Sequence, residues 1–466
     1  MIPSLPVIRV RCCLPVALFL IAGAVSAAEP APAPWTLHDA VGAPASLQLS
    51  GSIRARLETL SGQSRVGLDS SFNITSLRSN VFAEYRRERF RIGGELWDSR
   101  AYPQQPTSGV SSNDVNALEF VQAYVGADFG APFGKGSSAT AQLGRFVLNL
   151  GSRRLVAADD YRNTTNGYSG VRLDLKSAGG ATATVIYTEP QVRLPDALPG
   201  ILENRVELDR ESSDLVLWGG VTAFPALLPF ATLEGSWFGV RERDRADLAT
   251  RDRNLHSAGL RVYRDPRAGT VDFELEAIEQ TGSARASTAA TAALLDVSAW
   301  FYHVEAGYQW AAGSRPHLAL ELDYAGGDDG DGKYGRFDTL FGTRRADLAP
   351  SGLYAAVGRT NLRAAGLRLE AAPTTRLDYM ASWRILWLAS RTDSFSTTGV
   401  RDVTGRSGDF AGHQVDARLR YWVIPRSLRF EVDAVLLAKG RFLKDAPNAP
   451  QTGDTHYLSV NLTSQF

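Results

Sequence analysis

Strict alternation of apolar and polar side chains recurs along this sequence and limits its fold more than any other feature. Apolar and charged residues take turns from Ile53 to Glu58, and the same pattern runs through residues 414–423 and 427–439. A period of two places the apolar residues on one face of a β-strand and the polar residues on the other. Such strands build either a soluble sandwich with packed apolar faces or a membrane barrel whose apolar face meets lipid.

The lengths of strands and connections separate these two architectures. The alternating segments are long, whereas strands of globular proteins usually have about 5–6 residues and tilted membrane strands need about 9–11. Short turns, as at 86–89 and 372–375, alternate with long connections, as at 191–212 and 326–360. We therefore predict an all-β fold: a membrane-spanning antiparallel up-and-down barrel of about 18 strands, with short periplasmic turns and long extracellular loops.

The N-terminus has the three parts of a secretory signal peptide. Arg9 and Arg11 give the positive region, residues 12–25 are mainly apolar, and Val25-Ser26-Ala27 is a cleavage site of small residues. A membrane anchor is the alternative, but a spanning helix needs about 20 apolar residues. We expect a cleaved signal peptide at 1–27, a periplasmic leader at 28–45 and the outer-membrane barrel at 46–466.

Two counts restrict the function further. Lys and Arg total 50 and Asp and Glu total 50, so the formal net charge is zero, whereas nucleic-acid binders carry a basic excess. The 2 cysteines, Cys12 and Cys13, both lie in the predicted signal peptide. We therefore expect no nucleic-acid partner, and neither a disulfide nor a thiolate metal site in the mature chain.

Three segments carry a resemblance to a known family. Residues 144–175 contain Gly-Ser-x-Arg-Leu-Val followed by Gly-Val-Arg-Leu, and residues 335–362 and 440–450 complete the set. Together they resemble the alginate export family of outer-membrane β-barrels. The resemblance implies a transport role in the cell outer membrane of a Gram-negative bacterium, and it makes periplasmic polysaccharide-secretion proteins candidate partners.

The C-terminal segment is also informative. Residues 457–466 alternate and end at Phe466, which resembles the terminal strand of outer-membrane proteins, whose last aromatic residue is read by the barrel assembly machinery. We therefore expect that machinery and outer-membrane lipid as partners of a monomeric barrel.

The parity of the strands predicts which charged residues face the lumen. Barrel closure makes the first and last strands neighbours, so their inward arginines form one basic wall: Arg54, Arg56, Arg78, Arg89, Arg91, Arg368, Arg384, Arg418, Arg420 and Arg429. The strands opposite form an acidic wall: Asp272, Glu274, Glu276, Glu305, Glu321 and Asp323. About half of the arginines should pair with nearby carboxylates, because buried charges need partners. The remainder could bind a carboxylated substrate with bidentate geometry.

The connection at 326–360 is too long and too apolar for a solvated linker. It contains Phe337, Leu353 and Tyr354. We predict that it is ordered and folds over or into the barrel mouth, with Arg344 and Arg345 at the entrance.

Three functions remain open from the sequence. The first is a passive channel for an anionic, alginate-like polysaccharide, and the second is a diffusion porin for small anionic solutes such as sugar acids. The third is an outer-membrane hydrolase using His303 beside Glu305, but the nucleophile-elbow motif is absent. Residues 328–332 offer oxygen ligands but lack the Glu of a calcium loop. We expect no catalytic residues, no metal site and no cofactor.

Overall fold

The structure is a computed structural model that describes residues 35–104, 109–159, 161–225, 227–245, 248–343, 347–350 and 352–466. The predicted signal peptide at 1–27, the first part of the predicted leader, and Arg344 and Arg345 lie outside the described residues. Their assignments stay predictions.

Strands account for most of the described chain. In order they are β1 (Leu47–Ser61), β2 (Ser71–Arg87), β3 (Phe90–Pro103), β4 (Asn116–Asp128), β5 (Ser138–Val147), β6 (Asn149–Leu150), β7 (Val156–Ala157), β8 (Gly167–Lys176), β9 (Thr182–Pro190), β10 (Leu215–Phe224), β11 (Thr232–Glu242), β12 (Asn254–Arg264), β13 (Thr270–Arg285), β14 (Leu294–Gln309), β15 (His317–Ala325), β16 (Lys333–Tyr334), β17 (Leu362–Ala371), β18 (Leu377–Trp387), β19 (Phe410–Ile424), β20 (Leu428–Lys439) and β21 (Thr455–Gln465). The helices are α1 (Leu37–Ala40), α2 (Leu198–Leu202) and α3 (Arg441–Asp445). Within the described ranges, no helix is both long and apolar enough to span a bilayer.

Eighteen of these strands form one closed antiparallel barrel. Each pairs with its neighbours in the chain, and β1 also pairs with β21, where Leu57 lies opposite Val460. The short strands β6 and β7 lie outside this barrel and pair with each other, and β16 runs parallel to β14. The predicted fold class is therefore confirmed, and the number of strands in the barrel agrees with the predicted count of about 18.

The alternation of the sequence becomes the two faces of the barrel wall. On β1 the side chains of Ile53 and Leu57 are 53% and 58% exposed on the outside, whereas Arg56 and Glu58 are 2% and 4% exposed within. Apolar residues on the outer face give the lipid-facing band of a membrane barrel, and polar residues line the interior.

Long connections emerge at one rim and short turns at the other. Two long connections fold back into the barrel: the 148–166 loop between β5 and β8, and the 335–361 loop between β16 and β17. Phe337, Leu353 and Tyr354 are almost fully buried, so the described parts of this connection fold into the barrel mouth, as predicted. These loops form the apolar core of the long-loop half, which is extracellular in outer-membrane barrels.

The two ends of the barrel meet at a seam between β1 and β21. Gly51 N donates to Phe466 O at 2.7 Å, and Phe466 N donates to Gly51 O at 3.0 Å. A Cβ at position 51 would lie 2.6 Å from the Phe466 ring, so only glycine leaves room for that ring. The ring of Trp35 lies 5.7 Å from that of Phe466.

Candidate substrate path

A cavity of about 580 Å³ occupies the short-turn half of the barrel, and arginines dominate its wall. We call it the basic cavity. Its charged lining consists of Arg54, Arg56, Arg78, Arg153, Arg368, Arg418, Arg420 and Arg429 with Glu370 and Glu431. The excess of guanidinium over carboxylate favours an anion in this space.

Three of these arginines hold the 148–166 loop in place. Arg54 donates to the carbonyl of Arg162 at 2.8 Å, and Arg78 donates to the same carbonyl at 3.2 Å. Arg56 lies 4.0 Å over the ring of Tyr161. These side chains therefore line the cavity and also support its roof, a second role that parity could not reveal.

Arg418, Arg420 and Arg429 lie closer to the short-turn rim. Arg420 pairs with Asp378 at 2.8 Å, Arg418 lies 3.9 Å from the same carboxylate, and Arg429 lies 3.5 Å from Glu431. Two arginines thus share one partly exposed aspartate. Such pairs contribute little to stability, so a carboxylated ligand can exchange with them.

The structure corrects the predicted positions of other arginines. Arg384 does not line the basic cavity, because Glu321 at 2.6 Å and Asp416 at 2.9 Å enclose it. Arg91 lies near the short-turn end of β3, 3.8 Å from Glu84. Arg89 was expected to face the lumen, and this is wrong: it lies in the turn after β2 and is exposed. Alternation ends where a strand ends, so parity fails there.

The predicted acidic wall faces inward but is ion-paired. Glu274 bonds to Arg154 and, at 2.6 Å, to Arg261, and Glu276 also bonds to Arg154. Asp272 contacts His317 at 3.0 Å.

The inward carboxylates of β14 and β15 are also paired with protein side chains. Arg368 bridges Glu305 at 2.8 Å and Glu321 at 2.6 Å, and Asp323 bonds to His303 at 2.8 Å. These carboxylates therefore bind arginine or histidine side chains of the protein instead of forming an exposed repulsive surface.

Arg154, which is not among the predicted site residues, is the centre of a buried ion cluster. From the 148–166 loop it reaches Glu274 and Glu276 on β13, and Asp347 of the 335–361 loop at 2.8 Å. Arg359 also contacts Asp347, with its Nε at 3.0 Å. Although burial opposes it, Arg154 and Arg359 hold the pKa of Asp347 well below its ordinary value. One sequence feature could have indicated this role: Arg153 and Arg154 are adjacent in a long loop, and the predicted inward carboxylates need cationic partners.

The two inserted loops form a partition inside the barrel. Ala157 N donates to Phe341 O at 3.1 Å, and Phe341 N donates to Leu155 O at 2.9 Å. Tyr161 lines the basic cavity while the adjacent Arg162 lines a second cavity of about 490 Å³ on the long-loop side. We call this second space the outer cavity. The partition lies between the two cavities, so a solute that moves from one cavity to the other must pass it.

Metal ligands are not gathered anywhere in the described ranges: no group of three or more His, Cys, Asp or Glu side chains could hold an ion there. In the loop at 328–332, the backbone N–H of Asp328 donates to Asp393 at 3.0 Å. That carboxylate also accepts from Arg336 at 2.7 Å.

Comparison with solved structures finds the same fold. The crystal structure of Pseudomonas aeruginosa OpdL is 12% identical, with a TM-score of 0.57 over 91% of this chain and 99% of that chain. The crystal structure of P. aeruginosa OccK2 (OpdF) in complex with glucuronate has 12% identity and a TM-score of 0.56 over 90% of this chain and 98% of that chain. The crystal structure of Acinetobacter baumannii OccAB1 has 12% identity and a TM-score of 0.55 over 91% of this chain and 97% of that chain.

Among curated protein sequences, none matches this chain. The family model described as alginate export matches residues 45–455. This match and the porin-like barrel support an outer-membrane channel for anionic solutes rather than an enzyme. Since the match covers nearly the whole barrel, the chain belongs to the alginate export family.

Proposed function

We propose that this protein passes a carboxylated polysaccharide of the alginate type across the outer membrane, with the basic cavity as its anion-selective section. The observation that carries the proposal is the lining of that cavity, in which eight arginines face two glutamates. Guanidinium groups keep their charge and bind carboxylates with two parallel hydrogen bonds. A chain of uronate residues could move from one arginine to the next, provided that each contact stays weak.

The arginines nearest the short-turn rim are the proposed point of entry for a polymer made inside the cell. Arg418 and Arg420 share the partly exposed Asp378, and Arg429 lies 3.5 Å from the buried Glu431. A passive barrel supplies no energy, so the direction of flow follows the supply of polymer. The extracellular orientation of the long loops fits this route from basic cavity to outer cavity.

A second candidate function is a porin for single sugar acids. OccK2, a barrel of the same fold, was crystallised with glucuronate. The inserted loops occupy much of the long-loop half of this barrel, with Tyr354 and Phe337 in its core. A small solute needs less movement of the partition than a polymer does, and this favours the porin.

The remaining expectations are part of the same proposal. The signal peptide at 1–27 is cleaved, the barrel assembly machinery inserts the chain, and the barrel works as a monomer in outer-membrane lipid. Periplasmic polysaccharide-secretion proteins deliver the polymer. Arg344 and Arg345, the arginines predicted at the loop entrance, lie outside the described residues and stay predictions.

Conductance of the purified barrel in planar bilayers tests the proposal. We expect oligouronates to interrupt the current and neutral oligosaccharides of equal length to leave it unchanged. Replacing Arg418, Arg420 and Arg429 together by Gln should shorten the interruptions. Arg205→Gln is the matched control, because Arg205 pairs with Glu203 at 2.7 Å on the exposed surface. Block by glucuronate without block by oligouronates would favour the porin, and no block by either would refute both functions.

A further inference from the structure

The outer cavity contains a second arrangement of arginines, separate from the basic cavity. Arg162 comes from the 148–166 loop and Arg193 from the loop between β9 and β10, and both line this space. Asn113 and Asn166 line it with them. These four side chains come from three different loops of the long-loop rim. We call them the Arg–Asn square.

Each asparagine of the square bridges both arginines. The side-chain oxygen of Asn113 accepts from Arg162 at 2.6 Å and from Arg193 at 2.8 Å. The side-chain oxygen of Asn166 accepts from Arg193 at 2.7 Å and from Arg162 at 3.2 Å. The two guanidinium groups are thus held close together with fixed orientations, in spite of their mutual repulsion.

The charge of the square is only partly balanced. Asp159 pairs with Arg162 at 3.0 Å. Over the described ranges, Arg193 donates to neutral oxygens alone: the two asparagines and the carbonyls of Ser112 at 3.0 Å and Thr165 at 3.3 Å. Burial and the neighbouring Arg162 lower the pKa of Arg193 to about 10, so it remains charged at neutral pH. Asp159 and Asp209 offset part of the charge of Arg193 through space. A partly buried cation that donates to neutral oxygens still favours a further counter-ion in the space beside it.

We infer that the Arg–Asn square is a carboxylate-binding site on the extracellular side of the partition, where it receives one uronate residue of the transported chain. The identification of the ligand as a uronate rests on the proposed function. The existence of an anion-binding site does not. An Asp at position 113 would neutralise the square without changing its shape, and the sequence has Asn instead. The amide N–H groups of Asn113 can also donate to a sugar hydroxyl, a bond that a carboxylate could not make.

The position of the square gives it a second effect. Its ligand would bind side chains from the loops at 104–115, 148–166 and 191–214 at once. A carboxylate in the outer cavity therefore stabilises the mouth in one arrangement, and its departure releases all three loops.

Thiol chemistry can measure the site in the intact barrel, because the sequence has 2 cysteines and both lie in the predicted signal peptide. Ser112 lines the outer cavity, so S112C is the reporter. We expect an anionic methanethiosulfonate to react faster than a cationic one, on the order of tenfold. D-glucuronate should slow the reaction with a neutral methanethiosulfonate, and glucose should not.

Asn113→Asp is the decisive variant, since it adds the missing counter-charge while retaining the oxygen that both arginines use. It should abolish the preference for the anionic reagent and the protection by glucuronate. Asn448→Asp is the matched control, because it adds the same charge to an exposed position of the same rim and should change neither. Unchanged protection in the Asn113→Asp barrel overturns the inference.

Two further measurements keep the inference separate from folding and from the proposed function. Arg193→Lys keeps the charge but loses the planar fork, so protection should weaken while the reagent preference persists. A second reporter, S52C, lies in the basic cavity. Protection at Ser52 without protection at Ser112 refutes the square alone. Protection at Ser112 without protection at Ser52 supports the square and contradicts the basic cavity as the selective section.

Discussion

The two halves of the barrel interior are surrounded by the same alternating wall, yet they differ in what fills them. In the short-turn half the inward arginines surround open space. In the long-loop half the inserted loops pack Phe337, Leu353 and Tyr354 into an apolar core and occupy inward carboxylates with Arg154. The position of a charged wall residue along the barrel axis therefore determines its role. Near the short turns it is accessible to a substrate, whereas near the long loops it binds the inserted loops.

The largest effect should come from removing the centre of the ion cluster. Arg154→Met leaves Glu274, Glu276 and Asp347 without their shared cation. Breaking a buried ion pair in this way costs about 3–5 kcal/mol, which is enough to move the loops from a docked to an undocked state. We expect a larger single-channel conductance with an unchanged heat-modifiable barrel on gels. Arg205→Gln is again the control, and an unchanged conductance in the folded Arg154→Met barrel would show that the loops stay docked without the cluster.

A reversible cross-link should have the opposite effect on the same loops. Val156 and Phe341 are bridge partners between the 148–166 and 335–361 loops, and V156C/F341C would join them covalently. Because the partition separates the two cavities, the oxidised barrel should stop passing oligouronates, and reduction should restore passage. Each single-cysteine variant serves as a control. Passage through the oxidised barrel would mean that solutes cross by another route.

Charge reversal in the short-turn half should change the ion selectivity of the channel rather than the docking of the loops. Replacing Arg418, Arg420 and Arg429 by Glu reverses the charge of the part of the basic cavity that lies nearest the short-turn rim. The reversal potential in a salt gradient should move from anion towards cation preference. At 1 M salt the screening length falls to about 3 Å, so the shift should shrink. A reversal potential that does not move would exclude these arginines from the ion path.

The smallest predicted effect is a pH dependence at the long-loop rim. Burial and the charge of Glu58 raise the pKa of Asp114 to about 7, whereas it is about 3.9 in an unfolded chain. The folded loop therefore holds a proton that the unfolded loop has lost, and its stability falls as pH rises from about 4 to 7 and then levels off.

Limited proteolysis of the loop at 104–115 measures this dependence. Cleavage should increase by up to about tenfold per pH unit across that window, and Asp114→Asn should flatten the curve. Asp209, whose pKa burial and Glu119 raise to about 7, should account for part of any remaining slope, so Asp114→Asn/Asp209→Asn is the sharper comparison. A wild-type curve that stays flat from pH 5 to 7 would contradict a buried, protonated Asp114.

The same contrast explains how far the sequence alone could lead. Period-two alternation predicted the barrel, its number of strands and the inward side of residues such as Arg54 and Glu276, because side-chain direction in a strand depends only on position. It could not place Arg154 or Arg162, which lie in loops without a period. It also could not show that Arg384 is enclosed between Glu321 and Asp416, because enclosure depends on partners from distant strands.

The seam between β1 and β21 has a consequence for the order of assembly. Closing it joins residues from opposite ends of the polypeptide, and such distant contacts form late because the intervening chain must be restricted first. Tyr161 touches both sides of this seam from within, through Ser459 at 2.8 Å and the stacked Arg56. The 148–166 loop thus contacts both strands of the seam from inside the barrel. In a sheet that has not yet closed, β1 and β21 can both bind this loop. The segment that narrows the pore in the finished barrel therefore also brings the two edge strands together.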